Sequence, residues 1–212
     1  MIREEDLLVT LAQKVDPNHT ALVVIDVQND FCAVGGFYDR TGGDTTRIQA
    51  MMPHLHQLLG EARRARVPVI FVKAGYGEAY LSSSDRERFI RLYGQVIPVC
   101  RPGTWGAELY EVAPQPGEPV IVKRRYSAFH GTDLDVLLRS LGIRTIVLAG
   151  VATNVCVEGA ARDAFMRDYY VVVVSDCTAA RDDDLHRAAL TNIDLHFASV
   201  VAADAITSTW QE

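Results

Sequence analysis

No stretch of this 212-residue sequence stays apolar for the ~18 residues that a membrane-crossing helix needs, so no membrane partner is expected. Positive charge is short too. The 21 Lys and Arg against 27 Asp and Glu leave a net charge of -6, the wrong sign for nucleic acid or an anionic lipid surface. The first twenty residues carry Arg3, Glu4, Glu5 and Asp6 where a secretory leader would be apolar. Cysteine is scarce, and Cys32, Cys100, Cys156 and Cys177 show neither C-x-x-C nor zinc-site spacing. A reduced, cytoplasmic setting is the default expectation. Several enzyme signatures are missing as well: there is no G-x-S-x-G elbow and no P-loop. Gly75-Tyr76-Gly77 lacks the third glycine and the helix start of a dinucleotide fingerprint, so no cofactor is expected. His54 and His56 stand two apart in a helical stretch, whereas helical metal ligands favour i, i+4 spacing. No metal site is expected there.

What the sequence does have is apolar residue, 49% of the chain, enough for one sizeable core in a single domain over 1–212. Short β-branched runs cover 20–26 (TALVVID), 67–72, 118–123 (EPVIVK), 144–148 (RTIVL), 169–174 (YYVVVV) and 199–203. Helical patterns separate them. The stretch 47–66 puts Ile48, Met51, Met52, Leu55, Leu58 and Leu59 on one face, and shorter helices are predicted over 133–141, 155–167 and 185–193. Apolar strands alternating with amphipathic helices specify an α/β class, a three-layer α/β/α domain around a six-stranded, mostly parallel sheet. The exception is 75–117, far longer than an ordinary connection. It holds a charged helical piece from Ser84 to Tyr93 and a Gly/Pro-rich piece from Arg101 to Gly106. It reads as a lid or an oligomer contact. A floppy surface loop is the plainer alternative, against which Trp105 and Leu109 argue because they need burial.

Three strand ends carry chemistry. The first run ends in Asp26, the third in the amine of Lys123, and the fourth leads through Gly150 to Cys156. The carboxyl edge of an open α/β sheet is where sites are built. Thr153 and Asn154 are suited to cap a helix from Val155, which places Cys156 in the first helical turn. There the orphan N–H groups and the positive end of the macrodipole favour a thiolate and can hold an oxyanion. Taken singly, Asp26 is as well read as a turn aspartate, Lys123 as a surface lysine and Cys156 as a small buried apolar residue. Their convergence is what argues for a nucleophile, a base and a cation.

The wording D-x-Q-x-x-F (Asp26, Gln28, Phe31), the strand-terminal Lys123, and G-V-A-T-N-x-C-V (Gly150 to Val157) resemble the isochorismatase-like cysteine hydrolases, over residues 20–203. The resemblance implies their Rossmann-like fold and an amide-type hydrolysis through a Cys156 thioester. It implies Asp26 as proton acceptor, with Lys123 lowering the thiol pKa and keeping Asp26 ionised. It also implies an oxyanion hole from the backbone N–H groups of Ala152 and Cys156 and a cis peptide between Val151 and Ala152. Metal-binding relatives carry D-x-H after the second strand, where this chain reads Lys73-Ala74-Gly75-Tyr76, so no catalytic metal is expected. Within the family, the stretches Lys123 to Phe129 and Ala152 to Glu158 are similar to the branch that cleaves ureido and carbamoyl C–N bonds. That branch includes ureidoacrylate amidohydrolases, biuret hydrolases and N-carbamoylsarcosine amidases. A small-molecule substrate and a homodimer or homotetramer follow as expectations. Candidate pocket residues are Gln28, Phe31, Arg125, Tyr126 and His130. Arg125 and Tyr126 are read as anchors for a substrate carboxylate, and His130 either lines the pocket or caps the helix after Thr132. Cys32 approaches the pocket behind Asp30-Phe31, and Cys100 and Cys177 are structural. Two other readings stay open: vinyl ether hydrolysis of the isochorismate type, which needs no cysteine, and a non-catalytic binding protein on the same fold.

Overall fold

The computed structural model describes residues 3–211. Six strands form one parallel sheet: β1 (Thr20–Ile25), β2 (Val69–Ala74), β3 (Val120–Lys123), β4 (Thr145–Val151), β5 (Tyr170–Ala179) and β6 (Ser199–Val201). Their order is β3-β2-β1-β4-β5-β6. The chain winds outward from β1 in one direction and then restarts at β4 on β1's other side. The crevice at such a reversal lies outside the carboxyl ends of β1 and β4. β1 and β4 are buried at every position, as a strand covered on both faces must be. β3 is one of the two edge strands. Val120 and Val122 are 43% and 46% exposed there, and only Lys123 is buried.

Six helices matter for the site: α1 (Met52–Arg64), α2 (Ser83–Tyr93), α3 (Leu134–Ser140), α4 (Glu158–Phe165), α5 (Asp183–His196) and α6 (Ala203–Trp210). Alternate β1 side chains feed two cores. Leu22 and Val24 pack with Leu55 and Leu58 of α1 and with Ile206 and Trp210 of α6. Ala21, Val23 and Ile25 pack with Leu134 and Leu138 of α3, Ala160 and Ala164 of α4, and Ile193 of α5. The period of two along each strand thus builds the three layers. Among the described residues no helix is long and apolar enough to cross a membrane.

Several boundaries differ from the sequence-based expectation. The helix predicted over 47–66 is two pieces, Thr46–Ala50 and α1. Pro53 sits in the first turn of α1, where its missing N–H costs nothing, but it cannot continue the preceding helix. α6 was not expected, because ADAITSTW is short and rich in poor helix formers. It is held by packing on α1 and by Trp210 Nε1 donating to Val15 O at 2.7 Å.

The insert 75–117 is tied down rather than floppy. Gln28 is wholly buried. Its amide donates to the carbonyls of Ala74 and Ala107, both at 2.9 Å, and its Oε1 accepts from Ala74 N at 2.7 Å. The Asp30 carboxylate accepts from Cys100 N at 2.6 Å and Phe37 N at 3.1 Å, and Asn29 Nδ2 donates to Trp105 O at 2.8 Å. Gln28 is therefore a structural tie and not a pocket wall, since every polar atom of its amide is spent on backbone. Trp105 itself is 56% exposed. The backbone around it carries the tie, and its ring is not in the core as expected.

Gly150 decides how closely β4 approaches β1. It pairs with Ile25 at φ +115°, and a Cβ there would stand 2.0 Å from Ile25 O. Gly150→Ala is expected to cost at least ~3 kcal/mol of stability, or to leave no folded protein, because both the φ and the space forbid a side chain. Thermal unfolding of the variant within a degree or two of the parent would contradict this packing.

Candidate active site

Each strand-end residue reaches the site by its own local device. Asp26 follows β1 with φ +53°, a left-handed conformation that aspartate tolerates better than most residues, and its N–H still donates to Val72 O at 2.8 Å. Lys123 ends β3 opposite Ala74. Cys156 lies in a π-helical turn, Thr153–Val157, that links β4 to α4. Ala152 O accepts from both Val155 N (3.1 Å) and Val157 N (3.2 Å). The expected first turn of an α-helix capped by Thr153 and Asn154 is not what forms. Thr153 Oγ1 instead bonds His186 Nδ1 of α5 at 2.8 Å, and Asn154 Oδ1 is buried without a partner. A wider turn of this kind is common at functional sites. The peptide between Val151 and Ala152 is cis.

The three side chains meet in the crevice. Lys123 Nζ lies 2.8 Å from Asp26 Oδ2 and 3.3 Å from Cys156 Sγ, and it donates to Arg125 O at 3.0 Å. Asp26 and Lys123 are fully buried and Cys156 is 5% exposed. The surface-lysine reading of Lys123 is thereby ruled out. Burial raises the Asp26 carboxyl, opposed by the facing Lys123 ammonium. Burial would lower Lys123, but the Asp26 and Cys156 charges outweigh it and hold the ammonium above its ordinary value. The Cys156 thiol is pushed up to about 12 by burial, which the Lys123 charge only partly offsets and the Asp26 charge reinforces. The expectation of a low-pKa thiol is therefore corrected. One cation cannot support two buried anions, so releasing the thiol proton to solvent is costly. Handing that proton to Asp26 keeps the charge count unchanged, and the raised carboxyl is the acceptor such a transfer needs.

Above Cys156 lies a cavity of about 210 Å³. Asp26, Ala152 and Val155 join Cys156 at its base. Phe31, Phe37, Tyr38, Tyr76, Phe89 and Tyr126 line it with aromatic rings. The insert is thus a fixed wall of the pocket, contributing α2 through Arg88, Phe89 and Tyr93. Of the residues singled out from the sequence, Phe31 and Tyr126 line the cavity. Arg125 does not, for its guanidinium donates to Tyr80 O at 3.1 Å and Arg124 O at 2.7 Å outside. His130 is exposed and does neither expected job, since Leu134 N at the start of α3 is met by Thr132 Oγ1 at 3.3 Å. Cys32 is buried behind the wall. Among the described residues no cluster of three or more His, Cys, Asp or Glu side chains is placed to hold a metal. His56 bonds Glu111 O at 2.7 Å, and His54 lies 3.5 Å from Asp176. A larger open cleft of about 980 Å³ lies at the opposite end of the sheet, near Arg144, Tyr170 and Ser199. It holds none of the three strand-end groups.

The sequence reading missed Tyr38, Tyr76, Arg88 and Arg181 as cavity residues. Tyr38 lies in a short helix, Phe37–Arg40, Tyr76 and Arg181 lie two residues past β2 and β5 with no chemical motif around them, and only the charged helical pattern of 84–93 marked the segment that supplies Arg88.

Comparison with known proteins agrees with this geometry. The chain is 36% identical to the ureidoacrylate amidohydrolase RutB of Pseudomonas savastanoi pv. phaseolicola, an alignment covering 93% of this chain and 86% of the relative. A cysteine hydrolase structure from Pseudomonas syringae pv. phaseolicola superposes with a TM-score of 0.82 at 28% identity, covering 97% of each chain. The N-carbamoylsarcosine amidase of Thermoplasma acidophilum gives a TM-score of 0.68 at 30% identity over 88% of this chain and 97% of its own. The Isochorismatase domain model matches residues 20–205. With the sheet, the crevice and the buried strand-end cluster on these residues, the chain belongs to the isochorismatase family.

Proposed function

We propose that this amidohydrolase cleaves the C–N bond of a small ureido or carbamoyl compound through a Cys156 thioester. The observation that carries the proposal is the buried contact set of Lys123 with Asp26 and Cys156, at 2.8 and 3.3 Å, at the base of a small cavity. The likeness to ureidoacrylate amidohydrolase and to N-carbamoylsarcosine amidase supports the substrate class. In the first half-reaction Asp26 takes the thiol proton as Sγ attacks the substrate carbonyl. The oxyanion is met by the N–H groups of Ala152 and Cys156. Asp26 then protonates the leaving nitrogen, and ammonia or an amine departs. In the second, Asp26 draws a proton from water, the hydroxide attacks the thioester carbonyl, and the thiolate is expelled and takes that proton back from Asp26. Lys123 stays an ammonium throughout and balances whichever of Asp26 and Cys156 is anionic. A ureido carbonyl is a weak electrophile because two nitrogens donate into it, so it depends on a true thiolate beside fixed donors.

We also infer a cytoplasmic setting, since all four cysteines are free thiols, and a homodimer or homotetramer. Exposed apolar side chains at the β3 edge (Val120, Val122) and on the insert (Trp105) are the surface such an assembly would cover. Light scattering is expected to give a dimer or larger mass, and a monomer at working concentration would refute it.

Two further measurements test the reaction. Alkylation by iodoacetamide is expected to fall on Cys156 and spare Cys32, Cys100 and Cys177, whose thiols burial pushes up and which do not line the cavity. Its rate should stay level through the usual thiol range, because the internal transfer to Asp26 does not change with pH there. It should fall in acid, where a protonated Asp26 cannot accept, with a midpoint above the ordinary carboxylate range. A rate that climbs tenfold per unit between pH 7 and 9 would contradict the internal transfer. In the second, ammonia release from ureidoacrylate analogues, N-carbamoyl amino acids and biuret is compared with release from nicotinamide and maleamate. Cys156→Ser and Asp26→Asn should each lower kcat by at least ~10³-fold. Turnover of nicotinamide or maleamate alone would defeat the substrate class, and a fully active Cys156→Ser would favour vinyl ether hydrolysis instead.

A further inference from the structure

Two arginines reach the cavity above Cys156: Arg88 from α2, and Arg181 just past β5. Arg181 is committed, donating to Tyr93 Oη and to Thr41 O, both at 3.2 Å. Arg88 is not. Its Nε is shielded from solvent without an acceptor, and its guanidinium rests against the rings of Phe89 (4.7 Å) and Tyr126 (5.8 Å). The nearby carboxylate on its own helix, Asp85, is occupied at the helix start, accepting from Ser82 N at 3.0 Å and Ser82 Oγ at 2.7 Å. Elsewhere on the molecule arginines hold carboxylates closely: Arg63 with Glu118 at 2.8 Å, Arg64 with Glu61 at 2.7 Å, Arg162 with Glu158 at 2.6 Å.

A guanidinium Nε shielded from water and lacking an acceptor is unfavourable until an acceptor meets it. Two aromatic faces hold its plane ready for a bidentate partner. A second donor waits beside it: Tyr76 Oη is buried without a partner in the same cavity. Arg125, which the sequence offered for this task, is turned away to backbone carbonyls. The cavity, at about 210 Å³, is below the ~300 Å³ at which drug-sized pockets begin. An anion at Arg88 and a carbonyl at Cys156 must therefore belong to one short molecule.

We propose that Arg88 receives a carboxylate of the substrate, so that the chain acts on short ureido or carbamoyl acids in preference to neutral ureas. This rests on the Cys156 chemistry proposed above. Arg88 thereby gives the insert its part in the reaction, setting which molecules enter while the strand ends perform the cleavage.

Iodoacetate and iodoacetamide differ by a carboxylate in place of an amide, so their relative rates at Cys156 read the charge of the pocket without any substrate. The ratio of iodoacetate to iodoacetamide rates is expected to fall about tenfold or more in Arg88→Met, the size of one charge-assisted hydrogen bond. It should be largely kept in Arg88→Lys and in Arg181→Met. With 3-ureidopropionate as probe, Arg88→Met should lower kcat/KM by a similar factor, mainly through KM, while the neutral propylurea loses far less. A ratio that survives Arg88→Met, or that follows Arg181→Met instead, overturns the assignment of Arg88. Failure of both reagents to label Cys156 overturns the cysteine mechanism, and this inference with it.

Discussion

The ion pair between Lys123 and Asp26 is the interaction on which the site depends. Both groups are wholly buried, and either charge alone in that position would cost several kcal/mol. Together, with the neutral thiol beside them, they form a cluster of zero net charge. The two come from different strands with β2 between them: Asp26 follows β1, and Lys123 ends β3. Only a sheet in the order β3-β2-β1-β4 brings both to Cys156 beyond β4. Removing one partner would leave an uncompensated buried charge, typically ~3–5 kcal/mol of destabilisation, so the pair couples fold and chemistry.

The same pair sets the proton logic of the site. A buried thiol next to a single ammonium is a poor acid when a carboxylate already claims that cation, and the raised Cys156 expresses this competition. The cluster instead has two tautomers of equal charge, with the proton on sulfur or on Asp26. In the mechanism proposed above, the tautomer with the proton on Asp26 supplies the thiolate, and once Sγ is acylated the freed Asp26 carboxylate supplies the base. The π-helical turn matters here because it carries Sγ to Lys123 while α4 continues into the core behind it.

Around this centre the insert completes the pocket. Gln28, Asn29 and Asp30, just past Asp26 at the end of β1, spend their side chains on the backbone of residues 74–107. Gly106 lies so close to Asp30 that a Cβ would stand 2.3 Å from its carboxylate. The stretch that carries Asp26 therefore also clamps the segment that carries Tyr76 and Arg88, so the strand-end cluster and this side of the cavity share one anchor.

The alternation of β-branched runs with amphipathic helices was enough to determine the three-layer fold, because each pattern states which face a segment must bury. Strand ends are likewise legible in the sequence, and Asp26, Lys123 and Cys156 stand out there as groups delivered to one edge of the sheet. The local sequence did not carry the helix breaks at Pro53 and at the turn 153–157, where tertiary contacts such as Thr153 with His186 overrode capping preference. Nor did it carry the pocket wall. Gln28 and Arg125 look polar and available in sequence, yet one is consumed by the insert's backbone and the other by outer carbonyls, while Arg88 reads as one charge among many on a solvated helix. Which polar groups are spent and which are left waiting depends on what stands opposite them, and only the folded chain decides that. The thiol's proton affinity belongs to the same category, since it follows from burial and from two charges that lie 130 and 33 residues away in sequence.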